Sequence, residues 1–168
     1  MNTINYIQIQ KENSKHVEDA KALWLPFTAE LKKHKDERFY VDQVTDNLMK
    51  RIGIQGLRDT MHFELMYIND ECIGVCNFAI DLGGIKGLID KGYGYIMGFY
   101  ITPDKRRLGH GRTFFQHIEN VLIADGANYI YLTPDEVTGL PFWESMGFVN
   151  SHLIDPDEKL PIFIKKIK

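Results

Sequence analysis

From Ile101 to Thr113 the chain reads Ile-Thr-Pro-Asp-Lys-Arg-Arg-Leu-Gly-His-Gly-Arg-Thr. A strand-like run ends there, a basic turn follows, and an amphipathic helix begins. Gly109 and Gly111 carry no Cβ, so the backbone can take positive φ and come close to a ligand. The first N–H groups of a helix have no internal acceptor and lie at the positive end of its dipole. Such amides hold phosphate oxygens. Lys105, Arg106, Arg107 and Arg112 add four cations to a chain with 20 Lys+Arg against 23 Asp+Glu. The chemistry predicted is binding of a pyrophosphate or a sugar phosphate. No Gly-Lys-Ser/Thr follows, so this is not a nucleoside-triphosphate loop. Position 114 is Phe, where a dinucleotide fingerprint requires a third glycine.

Two carboxylates are candidates for work on a substrate. Glu64 shares the His62-Glu64-Met66 face of a strand-like run, opposite Phe63, Leu65 and Tyr67. Lining a cleft, it would attract a cationic group and could take a proton; the alternative is an ordinary solvent-facing strand residue. Asp81 opens a loop with four glycines and is a second candidate for substrate contact. Cys72 and Cys76 lie about 13 Å apart along one strand, too far to bridge. No further Cys and no His pair completes a metal site, and no Ser or Cys stands in a nucleophile elbow. The expectation is therefore no metal and no covalent enzyme intermediate.

These groups belong to a chain of 168 residues, 44% hydrophobic and 26% charged, with formal net charge −3. The length predicts one domain over 1–168. The acidic balance argues against nucleic acid or an anionic membrane as partner. No apolar run approaches the length of a membrane span, and Met1 to Gln10 lacks a signal-peptide layout. Reduced cysteines point to the cytoplasm.

The elements that must position the candidates follow from periodicity. Tyr6–Gln10 reads as a strand. Ser14 caps a helix carrying Val17, Ala20, Leu23 and Trp24, which Pro26 ends or kinks. Lys32–Arg38 is a charge run, and a second helix places Val41, Val44, Leu48 and Ile52 on one face. His62–Ile68 and Cys72–Ile80 are strands around an Asn69-Asp70 turn. Tyr93–Ile101 is a third strand-like run after the Asp81–Gly92 loop. A helix with Phe114, Phe115, Ile118, Val121 and Leu122 follows, then a strand at Asn128–Thr133 and a helix at Val137–Met146. Strands at Phe148–Ile154 and Leu160–Ile167 close the chain, the last offering an apolar edge for a second copy, hence a homodimer.

The layout resembles the GNAT superfamily of N-acetyltransferases from the first strand to about Phe148. Phe99-Tyr100-Ile101-Thr102-Pro103 resembles the end of that family's fourth strand. Arg106-Arg107-Leu108-Gly109-His110-Gly111 fits its Arg/Gln-x-x-Gly-x-Gly/Ala acetyl-CoA turn. Phe142-Trp143-Glu144-Ser145-Met146-Gly147-Phe148 resembles the end of its fourth helix. The resemblance implies a single α/β domain with a mixed, mostly antiparallel twisted sheet flanked by helices and splayed at the fourth strand. It implies that amides from Arg107 to Thr113 hold the pyrophosphate of acetyl-CoA, with Leu108 and His110 acting through their main chain. The main chain of Phe99 and Ile101 would pair with pantetheine and polarise the thioester carbonyl.

Three positions depart from the family pattern. Trp143 stands where a proton-donating Tyr is common, and an indole N–H is no proton source near neutral pH. Glu136 stands where an Asn is frequent. Tyr95 takes the place of a general-base Glu, and a phenol titrates at about 10. Two readings follow: transfer of acetyl from acetyl-CoA to a primary amine of a small molecule or peptide, with Glu64 or Tyr95 handling the proton and Trp143 packing on the cofactor arm; or a catalytically silent acyl-CoA sensor.

Overall fold

A computed structural model describes residues 1–31, 37–134 and 139–168. Its elements run β1 (Ile4–Gln8), α1 (Ser14–Leu31), α2 (Glu37–Ile54), β2 (Met61–Ile68), β3 (Glu71–Ile80), β4 (Gly94–Ile101), a 3-10 turn (Pro103–Lys105), α3 (His110–Ala124), β5 (Tyr129–Leu132), α4 (Leu140–Ser145), β6 (Val149–Ile154) and β7 (Pro161–Lys166). The strands form one seven-stranded mixed sheet in the order β1-β2-β3-β4-β5-β7-β6. The chain divides into two compact units, one of Met1–Asn77 with Gly98–Phe114 and one of Phe78–Met97 with Phe115–Lys168.

In the first unit α1 and α2 supply the apolar stripe that covers one face of β1 and β2. Ile9, Trp24, Val44, Leu48, Ile52, Phe63, Leu65 and Val75 form this core. Strand alternation sends Phe63, Leu65 and Tyr67 into it, as expected. Several details differ from the sequence reading. The helix start is capped by Asn13, whose Oδ1 accepts the His16 N–H at 3.2 Å, rather than by Ser14. Pro26 lies inside α1, which continues to Leu31. The bond that proline costs is offset by Trp24 and Phe27 packing edge to face at 5.0 Å and by the Tyr40 hydroxyl donating to the Leu25 carbonyl at 2.8 Å. On α2 the buried stripe is Tyr40-Val44-Leu48-Ile52, while Val41 is exposed. That is the i, i+4 row of a helix; Val41 sits one residue round from it. The charged residues Lys32–Asp36 lie outside the described residues.

In the second unit β4 and β5 pair in parallel, with α3 as the crossover between them. β7 pairs antiparallel with β5 on one side and β6 on the other. The apolar closing strand is therefore an interior strand; its amides are committed to β5 and β6, and it is not the edge expected for a second copy. The Asp81–Gly92 loop is built rather than loose. The Asp81 N–H donates to Tyr93 O at 2.8 Å and Gly92 N–H donates to Asp81 O at 2.7 Å, so two residues oppose one. Gly92 has φ 95°, the backbone such a bulge needs at its first position.

Gly98 marks the tightest packing of β4 against α1. A Cβ there would meet Trp24 Cη2 at 2.9 Å and Phe27 Cε1 at 3.2 Å. Gly98→Ala is expected to lower stability by about 1–3 kcal/mol, the range for overpacking a well-filled core, measured by urea unfolding. An unchanged midpoint would show that both rings shift without cost.

Candidate functional site

The hydrogen bonds of β4 explain why its C-terminal end differs from an ordinary sheet strand. Asp81 pairs opposite Tyr93, and Thr102 N–H donates to Ile73 O at 2.9 Å. Between these anchors β3 advances eight residues (73 to 81) and β4 nine (93 to 102), so β4 carries one extra residue. The side chains locate it. Gly98 faces Trp24 and Tyr100 faces Phe27, whereas Phe99 and Ile101 face Phe114. Alternation is regular from Gly98 onward, which puts the extra residue before Gly98. Because Thr102 turns its amide to β3, the amides of Ile101 and Phe99 turn away from β3. Among the described residues the β4–β5 ladder ends at Tyr95↔Tyr131. Phe99 and Ile101 thus present main-chain groups beyond the last β4–β5 pair, at the two positions picked out in the sequence.

The turn after β4 is shaped by two left-handed residues. Arg106 is extended, Arg107 has φ 61° and Gly109 has φ 89°. The Thr113 N–H donates to Gly109 O at 3.1 Å, the first turn of α3. The amides of His110, Gly111 and Arg112 therefore precede the first helical bond and face outward from the helix start. A Cβ on Gly109 would meet nothing within 4 Å, so the space beside the turn is open. The residues present fit a ligand pyrophosphate, with main-chain amides from Arg107 to Arg112 as donors; the Thr113 amide, included in the sequence expectation, is committed to Gly109 O.

The cations do not act as one cluster. Lys105 pairs with Glu71 at 3.0 Å and Asp104 at 3.8 Å. Arg106 places Nη2 at 2.9 and 3.0 Å from the two Glu30 carboxylate oxygens, and its Nε donates to Ile101 O at 2.8 Å. Its guanidinium also lies 5.1 Å from the Tyr100 ring centre. Among the described residues neither Arg107 nor Arg112 pairs with a carboxylate.

Glu64 is 8% exposed, which overturns the solvent-facing reading. It lies opposite Gln8 in the β1–β2 ladder. Burial, and then the charge of Glu64, raise both the Cys76 thiol and the Tyr6 hydroxyl, so these groups surround one carboxylate. Tyr6 stacks on Phe114 at 5.7 Å, and its hydroxyl donates to Thr113 O at 3.4 Å. The first unit thereby brings together Glu64, Tyr6, the β4 end and the start of α3. Tyr6 and Glu30 went unmarked in the sequence, where one reads as a strand residue and the other as a helix-surface charge.

Tyr95, Asp81 and Trp143 belong to the second unit. Tyr95 stacks face to face on Tyr131 at 4.5 Å and 5°, and Tyr131 donates to Asp81 Oδ2 at 2.7 Å. The other oxygen, Asp81 Oδ1, accepts the N–H groups of Gly83 at 3.0 Å and Gly84 at 2.9 Å. Asp81 therefore ties the loop and orients the tyrosine pair; three donors already occupy the carboxylate offered for a substrate. Trp143 is buried, edge to face with Phe115 at 5.6 Å, Phe142 at 4.8 Å and Phe148 at 5.4 Å. Glu136 and Val137 lie outside the described residues. Among the described residues no group of three or more His, Cys, Asp or Glu is placed to hold a metal ion, and no helix is long and apolar enough to cross a membrane.

Burial first, then the hydrogen bond and charge of Asp81, raise the Tyr131 hydroxyl above the ordinary phenol value. Tyr67 is raised likewise, by burial and then by its bond to Asp19. The unfolded chain loses these protons at about pH 10 while the folded chain keeps them, so stability is full below pH 10 and falls as pH rises beyond it. Each tyrosine contributes a slope of about 1.4 kcal/mol per pH unit. Tyr131→Phe is expected to remove about one proton from that slope in urea unfolding between about pH 9.5 and 11.5. An unchanged slope would show that the Tyr131 hydroxyl is not held buried against Asp81 in solution.

Residues 20–148 match the family model described as Acetyltransferase (GNAT) family. No curated protein sequence matches the chain. Among solved structures, a Paia N-acetyltransferase from Thermoplasma acidophilum in complex with coenzyme A is 17% identical, with TM-score 0.69 over 98% of this chain and 99% of that one. A ribosomal-protein-S18-alanine N-acetyltransferase from Escherichia coli is 15% identical, with TM-score 0.61 over 98% and 91%. An aminoglycoside 6'-acetyltransferase type Ii is 14% identical, with TM-score 0.70 over 98% and 97%.

Proposed function

Because this chain belongs to the acetyltransferase (GNAT) family, we propose that it binds acetyl-CoA along Phe99, Ile101 and Arg106–Thr113 and moves the acetyl group directly to a primary amine of a small molecule or peptide. One observation carries this reading: main-chain groups beyond the end of the β4–β5 ladder are followed, within one short turn, by the outward amides of α3. The likeness to a relative solved with coenzyme A supports it.

Acetyl-CoA supplies an activated thioester, and the rest is done by the chain. Amides at Phe99 and Ile101 are suited to polarise the acyl carbonyl. A thiol ionises at about 8.5, so coenzyme A leaves as a thiolate without an obligate acid, and Trp143 need not supply a proton. The acceptor ammonium, with a pKa of about 10, must be deprotonated before attack. Glu64 is the favoured base, and its burial among Tyr6, Cys76 and Gln8 supports that role; Tyr95 acting through a water is the alternative. Asp81, the other carboxylate considered for the acceptor, is bonded to its own loop and to Tyr131. The relatives named above act on a ribosomal-protein alanine and on an aminoglycoside, so the fold leaves the acceptor open; the reduced cysteines support a cytoplasmic location. A silent acyl-CoA sensor is favoured by one feature, the indole of Trp143 enclosed by three phenylalanines; thiol release with an amine panel separates the readings.

Acetyl-CoA at 100 times its Kd is expected to stabilise the fold by about 2.7 kcal/mol. Gly111→Val should remove that gain while leaving a folded protein, because a branched side chain obstructs the amides. An unmoved melting temperature at millimolar acetyl-CoA overturns both readings.

In turnover, kcat/KM should climb with pH through the neutral range, and Glu64→Gln should lower it more than Tyr95→Phe. Trp143→Tyr should change kcat less than tenfold. A gain of 10²–10⁴, the scale of general acid catalysis, would mean that leaving-group protonation limits the reaction.

A further inference from the structure

Arg106 opens the basic turn, and its position suggests a direct contact with phosphate. The structure gives its guanidinium other work. Nε donates to Ile101 O at 2.8 Å, Nη2 reaches both Glu30 oxygens at 2.9 and 3.0 Å, and the plane lies over Tyr100 at 5.1 Å. The ion pair is partly shielded, with side-chain exposures of 35% and 31%. Arginine's planar fork can hold a carboxylate and a carbonyl at once, which a lysine ammonium cannot do with the same geometry. The Ile101 carbonyl turns away from β3, beyond the last β4–β5 pair, and Arg106 is the partner that holds that peptide plane.

We propose that Arg106 is a positioning residue and not a phosphate ligand: it braces the Ile101 peptide against Glu30 of α1, so that α1 sets the orientation in which the β4 end meets the donor. The proposal rests on the reading of that strand end as the donor seat. It makes the first helix an indirect contributor to donor binding.

The phosphate-ligand alternative differs in sign. If Arg106 held a phosphate, Glu30 would compete for it, and Glu30→Gln would tighten binding while Arg106→Gln weakened it. For a brace, both substitutions act in one direction. Titration of coenzyme A and 3′-dephospho-coenzyme A into the wild type, Arg106→Gln, Glu30→Gln and the double variant is expected to show two- to fivefold weaker binding in every variant. The factor should be the same for both ligands, and the double variant no worse than Arg106→Gln. The Ile101 carbonyl carbon, followed by NMR, should shift in Arg106→Gln and in Arg106→Lys, although Lys keeps the ion pair with Glu30. Tighter binding by Glu30→Gln, additive losses, or a tenfold loss confined to ligands with the 3′-phosphate would overturn the brace. If the wild type binds neither ligand, the donor reading fails on its own. The brace is then decided by the Ile101 shift and by a double-mutant cycle in urea, where independent effects of Arg106→Gln and Glu30→Gln would overturn it.

Discussion

A β-strand whose partner stops early must find other uses for its backbone groups, because a buried N–H or C=O without an acceptor or donor is costly. Among the described residues the β4–β5 ladder ends at Tyr95↔Tyr131 while β4 runs on to Ile101. One extra residue before Gly98 sets which way the later amides turn. Phe99 and Ile101 consequently direct main-chain groups away from β3, and the Ile101 carbonyl is taken by Arg106. Two residues at positive φ then bring the chain into α3 with the helix's first amides outward. Side-chain identity matters little for an arrangement built from backbone groups, and the fold itself is shared with solved structures below 20% identity.

The surroundings hold this backbone still. Tyr6 links β1 to the start of α3 through its stack on Phe114 and its hydrogen bond to Thr113. Gly74 allows Ile101 and Phe114 to approach β3, where a Cβ would meet Ile101 Cδ1 at 2.8 Å. In the other unit, Asp81 satisfies three donors and so couples a glycine-rich loop to the stacked tyrosines. Pre-oriented donors suit the proposed reaction, in which the chain would contribute orientation, a polarised carbonyl and one proton transfer.

Much of this was legible in the residues. Alternation placed β2 and β3, the helical stripe of Phe114, Phe115, Ile118 and Leu122 placed α3, and the two glycines marked the turn. What escaped depends on tertiary partners. Pro26 signalled a helix end or a kink, and the helix continues because Phe27, Trp24 and Tyr40, which local rules do not see, support the turn around it. Leu160–Ile167 suggested an edge because strand order is not written in one strand's composition. The basic cluster suggested four phosphate-binding cations, but Glu30 and Glu71, far away in sequence, claim two of them. Glu64 could be placed on a face by period, but not on a buried one.

Main-chain amides form the proposed donor seat, and amide chemical shifts test that most directly. Acetyl-CoA added to isotopically labelled protein should move the N–H signals of Gly109, His110, Gly111 and Arg112 most, with Phe99 and Ile101 next. Shifts centred instead on the cleft of Asn13, Lys15, His16 and Tyr67, with the turn unmoved, would contradict it.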